Sequence, residues 1–187
     1  MTKRAATAAL IVALALAACA PVPPETYRFF DFERDADLGV FLWQCHIVYG
    51  RTSRPVGHGA WALRVDLPPD EFPGVEFSAV PRDWSMFEEF RFWVYVEGDR
   101  PLDAMVRIDD DRPCVNVEDR ANIPLRLNPG ENRVSIPVRA IAGNPRSRRL
   151  NVRQIRRIIF FLSDSNRREV LDLDDFRLVL VAGEKGR

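Results

Sequence analysis

Apolar residues alternate with polar ones in short runs along most of this chain, the period of half-buried β-strands. Phe90-Arg91-Phe92-Trp93-Val94-Tyr95-Val96 sets Phe90, Phe92, Val94 and Val96 on one face and Arg91, Trp93 and Tyr95 on the other. Leu102 to Asp109 repeats the pattern, with Leu102, Ala104, Val106 and Ile108 inward and Asp103, Met105, Arg107 and Asp109 outward. Similar runs are Tyr27 to Glu33, Trp43 to Tyr49, Ala60 to Leu67, Gly74 to Val80, Leu125 to Leu127, Arg133 to Val138, Ile158 to Leu162 and Val170 to Val181. Pro68-Pro69 and the Gly50 to Gly59 stretch break the pattern as turns do. Only Val152 to Arg157 reads as briefly helical. Many short strands and no long helix predict an all-β fold, a two-sheet antiparallel β-sandwich of the jelly-roll kind.

Composition agrees with one such domain. The chain has 187 residues, with 14 prolines and 10 glycines scattered among the apolar runs. Formal net charge is zero, so no basic field would gather nucleic acid.

The first residues have a different character. Lys3 and Arg4 precede an apolar run from Ala5 to Ala18 that is too short to span a bilayer and ends in small residues, as secretory signals do. Leu16-Ala17-Ala18-Cys19 resembles the lipobox of bacterial lipoproteins. The resemblance implies cleavage before Cys19, lipidation of its sulfur and attachment to a membrane; Ala20, in place of Asp, points to the outer membrane facing the periplasm. An ordinary secretory cleavage with an incidental cysteine is the alternative. The expected divisions are 1–18 signal peptide, 19–26 lipidated Cys19 and Pro-rich tether, 27–181 β-sandwich and 182–187 tail. After export Cys45 and Cys114 either bridge in an oxidising compartment or fill the core as free thiols.

The last strand carries acids where apolar residues are expected. In Val170-Leu171-Asp172-Leu173-Asp174-Asp175-Phe176-Arg177-Leu178, one of the adjacent carboxylates at 174 and 175 must turn inward or to the sandwich edge. A buried carboxylate needs a partner, either a hard cation such as calcium or one of the abundant arginines. Glu33, near the other end of the domain, could share such an ion.

Phe-Asp-Phe-Glu at 30–33, Gly-His-Gly-Ala-Trp-Ala-Leu-Arg-Val at 57–65, Asp-Trp-Ser-Met-Phe at 83–87, Phe-Arg-Phe-Trp-Val-Tyr at 90–95, Pro-Gly-Glu-Asn-Arg-Val-Ser-Ile-Pro at 129–137 and Leu-Asp-Leu-Asp-Asp-Phe-Arg-Leu at 171–178 occur in that order. Together they resemble a galactose-binding-like jelly roll, similar to family 11 carbohydrate-binding modules and to the complex I intermediate-associated protein family. The resemblance implies a structural calcium held by Glu33, a backbone carbonyl near His58 to Trp61, and Asp174.

The fold hosts many functions, so a site has to be argued from its residues. Sugar recognition needs aromatic faces for C–H surfaces and planar polar groups for paired hydroxyls. Arg91, Trp93, Tyr95, Arg107 and Asp109 have those chemistries on two strands expected to be neighbours, which makes carbohydrate the expected ligand. The competing reading puts Trp93 and Tyr95 in a second apolar layer, or in an interface with an envelope protein partner. The acidic stretch Asp109 to Asp111 is expected at a solvated rim, with a second cation as the alternative, and the arginines at 146–157 with Arg167 and Arg168 are expected to pair with the chain's acids, the alternative being a local positive face for an acidic polysaccharide or a lipopolysaccharide phosphate. No Gly-x-Ser-x-Gly elbow, His-Glu-x-x-His pair or Gly-rich phosphate loop occurs, so no catalysis is expected.

Overall fold

A computed structural model describes residues 25–40, 47–163 and 165–180. Ten strands form two antiparallel sheets: β1 (Thr26–Phe30), β2 (Val48–Thr52), β3 (Ala62–Leu67), β4 (Gly74–Phe77), β5 (Glu89–Glu97), β6 (Leu102–Asp110), β7 (Ala121–Leu127), β8 (Gly130–Pro137), β9 (Ile155–Leu162) and β10 (Glu169–Val179). One sheet runs β2-β3-β10-β5-β8, with β1 also paired to β10; the other runs β4-β9-β6-β7. The expected all-β sandwich is the observed fold. The lipidation position Cys19, and Trp43 and Cys45, lie outside the described residues. Cys114 is a free thiol, half-buried beside Arg148.

Alternation builds the core as expected. Phe90, Phe92, Val94 and Val96 of β5 face Val106 and Ile108 of β6 and Ile158 and Phe160 of β9 across the sandwich. Aromatic rings fill its centre: Phe176 contacts Phe30, Phe32, Phe77, Phe90 and Phe92 with ring centroids 4.8–6.2 Å apart.

β10 is the hub. It pairs with β3 and with β5, and its C-terminal half pairs with β1. Strict alternation from Leu171 and Leu173 would send Asp175 into the core. A bulge between Asp174 and Arg177, with Asp175 at φ +55°, resets the register so that Phe176 and Leu178 point inward instead. The displaced Asp175 carboxylate is met by Arg28 at 2.6 Å and Arg177 at 2.7 Å. For this acid the arginine alternative is the one realised.

One helical expectation is corrected. Val152 and Arg153 form a turn into β9, and the short helix is α1, Val138–Gly143. Its signal is Pro137 followed by Val138, Ile141 and Ala142, which face the core at helical spacing.

Candidate functional site

Register places the candidate residues. On the outer face of the larger sheet, Arg64 of β3, Asp172 of β10, Tyr95 of β5 and Glu131 of β8 form one transverse row, with Gly50 of β2 beside Arg64. The next row carries Asp174, Trp93 and Arg133. Arg177, Arg91 and Ser135 form a third, beyond the bulge.

Arg107 and Asp109 do not join this face. β5 and β6 are consecutive in sequence but belong to opposite sheets, because the chain crosses the sandwich between Glu97 and Leu102. The expected five-residue cluster is therefore divided. Arg107 donates to Asp109 through Nε at 2.9 Å, and Arg157 reaches the same carboxylate at 2.7 Å and Glu76 at 3.1 Å. Burial works against the charged form of Asp109, but the two guanidinium groups outweigh it and hold the carboxyl below its ordinary range. Asp110, expected at a solvated rim, is likewise buried and takes both ends of the Arg148 fork, at 2.6 and 2.7 Å. These acids are internal braces of the smaller sheet.

Trp93 is also not the open platform that alternation implies. It faces outward but is only 3% exposed, since the connection before β3 folds back over it. A Cβ added to Gly57 would lie 2.5 Å from Trp93 Cγ, so the backbone rests directly on the indole. Tyr95 is half-buried and stacks on the same ring, with centroids 6.2 Å apart and planes at 25°.

Two carboxylates hold that connection down. Gly57 and His58 N–H donate to Asp174 Oδ2 at 2.9 and 2.8 Å, and Asp175 N–H donates to Oδ1 at 2.6 Å. Ala60 and Trp61 N–H donate to Glu33 Oε1 at 2.8 and 3.1 Å. Gly59, at φ +65°, lets the turn close on Glu33, whose Oε1 would lie 2.2 Å from a Cβ at that position. Burial pushes the Asp174 carboxyl up to about 7, against the pull of its backbone donors.

Glu33 and Asp174 thus meet at one turn, as the motif resemblance implies. A hard cation takes six or more oxygen ligands, whereas these carboxylates face five N–H donors. Among the described residues no three His, Cys, Asp or Glu side chains converge. As placed, the pair forms a hydrogen-bonded clamp on the turn.

The outer face bears groups that the alternation pattern did not single out. Arg64 turns to Glu97, and Arg168 forks onto Asp66, with its Nε at 2.6 Å. Beside these pairs lies an open depression of about 420 Å³, bordered by Val48, Arg64, Asp66, Glu97, Arg168 and Val170. The sequence signal was present in part, because Arg64 and Asp66 alternate outward in β3. Their proximity to Glu97 and Arg168 depends on strand pairing, which alternation does not reveal.

No family model matches the sequence, and no curated protein matches it. Solved structures do. A family 11 carbohydrate-binding module from Clostridium thermocellum, in complex with a β-1,3-1,4-mixed-linked tetrasaccharide, matches with a TM-score of 0.61 at 16% identity, over 83% of this chain and 96% of the module. An exo-β-agarase matches with a TM-score of 0.63 at 13% identity, over 83% of this chain but a quarter (25%) of the agarase. A non-crystalline cellulose specific module of family 28 matches with a TM-score of 0.51 at 12% identity, over 70% of this chain and 79% of the module. The chain has the jelly-roll sandwich fold of these carbohydrate-binding modules.

Proposed function

We propose that this chain is a non-catalytic, lipid-anchored envelope protein whose sandwich binds an oligo- or polysaccharide on the outer face of the larger sheet. One observation carries the reading: Tyr95, Arg64, Arg91 and Arg133 share that face with carboxylates that pair with the guanidinium groups. Half-buried Tyr95, backed by Trp93, offers an aromatic edge, while the planar donors suit paired hydroxyls. The similar modules support the reading through what they bind, a mixed-linked tetrasaccharide in one case and non-crystalline cellulose in the other. The anchor is inferred from the Cys19 motif.

Affinity electrophoresis of the full-length protein through gels containing mixed-linked β-glucan, cellulose derivatives or agarose tests the binding. Retardation by at least one polymer, reduced in Tyr95→Ala, is the expected result. Unretarded migration in every polymer would overturn it. Release of Cys19→Ser from the membrane fraction tests the anchor separately.

A further inference from the structure

Seven polar or charged residues are buried among the described residues: Asp109, Asp110, Ser165, Glu169, Asp172, Asp174 and Asp175. Six of them meet hydrogen-bond partners, in Arg107 and Arg157, Arg148, the Arg167 carbonyl, Arg100, backbone N–H groups, and Arg28 respectively. Asp172 is the exception. It is 0% exposed, and neither of its oxygens has a hydrogen-bond partner. Its opposite neighbour Arg64 forms a loose ion pair with it, Nε standing 3.7 Å away and beyond hydrogen-bond reach, while the outer nitrogen of Arg64 turns to Glu97.

Buried carboxylates are ordinarily supplied with donors, and a group left without them calls for an explanation. The position of Asp172 supplies one. It sits in the middle of the outer face, between Arg64 and Tyr95, next to the depression that Arg64 borders. Arg64 is only half-buried, and across from it Gly50 has no side chain and nothing within 4 Å of where a Cβ would stand. The guanidinium has room to swing aside.

The geometry points to Asp172 as the buried acceptor of a sugar subsite, with Arg64 as its movable cover, for a neutral pyranoside presenting two adjacent free hydroxyls. This rests on the carbohydrate reading above and assigns its ligand class. The depression is lined by three arginines, and each has a carboxylate partner, Arg51 in Asp35, Arg64 in Glu97 and Arg168 in Asp66, so a uronate, sulfate or phosphate finds no unpartnered cation. A hydroxyl suits the gap. It donates to the carboxylate and accepts from the displaced guanidinium, while its neighbour pairs with Glu97 or the other Asp172 oxygen.

Calorimetric titration of the full-length protein and of Asp172→Asn with a neutral mixed-linked β-glucan tetrasaccharide tests the subsite. Carboxymethylated β-glucan serves as a charged probe. Asp172→Asn should weaken binding by about tenfold or more without lowering the melting temperature, since it removes a buried charge that no hydrogen bond satisfies. Asp172→Ala, which leaves no amide donor, should bind equally weakly. The charged glucan should bind less well than the neutral one. Retention of affinity within about twofold in Asp172→Asn would overturn the assignment while leaving the carbohydrate reading intact. Loss of binding together with a fall of about 5 °C in melting temperature would also overturn it, by showing a structural role. Equal binding of the charged glucan would remove the neutral-ligand class, and failure of the wild type to bind any glucan would remove both readings.

Discussion

Asp172 and Arg64 lie directly opposite each other on β10 and β3, with unlike charges 3.7 Å apart and no hydrogen bond between them. Burial pushes the Asp172 carboxyl from 3.8 up to about 6, and the Arg64 charge pulls only partly against it. A folded-state value above the unfolded one means that the native state holds its proton more tightly. Stability is then full below about pH 4 and lost as the pH rises through about 6, by about 3 kcal/mol for a shift of this size. Asp174, raised by burial to about 7, acts in the same direction. The wild type should therefore melt higher at pH 5 than at pH 7.5, by on the order of 5 °C. Asp172→Asn should raise the melting temperature at pH 7.5 and narrow the difference. A wild-type melting temperature that rises between these pH values would contradict the absence of hydrogen-bond donors at Asp172.

Asp174 fixes the turn that covers Trp93. Asp174→Ala leaves the Gly57 and His58 N–H groups without acceptors and should destabilise the domain by about 2–3 kcal/mol, with increased acrylamide quenching of tryptophan fluorescence. Since Glu33 and Asp174 meet N–H donors, calcium or a chelator should leave the wild-type melting temperature unchanged. A calcium-dependent rise that disappears in Asp174→Ala would instead establish the cation that the motif resemblance implies.

What the sequence discloses and what it hides divide along physical lines. Alternation within one strand fixes which residues share a face, so the inward set of β5 was legible, as was the outward set of Arg91, Trp93 and Tyr95. It carries nothing about which strands are adjacent. Grouping Arg107 and Asp109 with Trp93 on alternation alone therefore joins residues that belong to two different sheets. Nor does alternation reveal what folds over an outward residue: Trp93 is outward in β5 and still buried, because Gly57 lies on it. The acids of β10 were visible as anomalies. Which of them lacks a hydrogen-bond donor depends on the bulge at Asp175 and on the orientation of Arg64 toward Glu97, both set by tertiary pairing.

Asp109 is the opposite case to Asp172. Two guanidinium groups converge on it inside the smaller sheet, so Asp109→Ala leaves Arg107 and Arg157 facing each other without the carboxylate. A loss of about 3–5 kcal/mol is expected, measured by urea denaturation at pH 7. Its lowered carboxyl value makes this contribution present at neutral pH and lost only as the pH falls below the ordinary carboxylate range. Glycan affinity should survive in the fraction that remains folded, because Asp109 belongs to the other sheet. Selective loss of binding with unchanged stability would return Asp109 to the ligand site.

Gly57 offers the most local test of the covered tryptophan. A methyl group there would come within 2.5–2.7 Å of Trp93 Cγ, Cβ and Cδ2, which is far inside van der Waals contact. The indole cannot retreat easily, because Tyr95 stacks on it and its backbone is paired on both sides, to Asp174 and Arg133. The turn must lift, weakening the Gly57 and His58 bonds to Asp174 as it does so. Gly57→Ala should therefore cost about 1–3 kcal/mol, the range for overpacking, and shift tryptophan emission to the red. An unchanged emission maximum and melting temperature would mean that the turn does not rest on Trp93 in solution, and would return the indole to the set of surfaces open to a sugar ring.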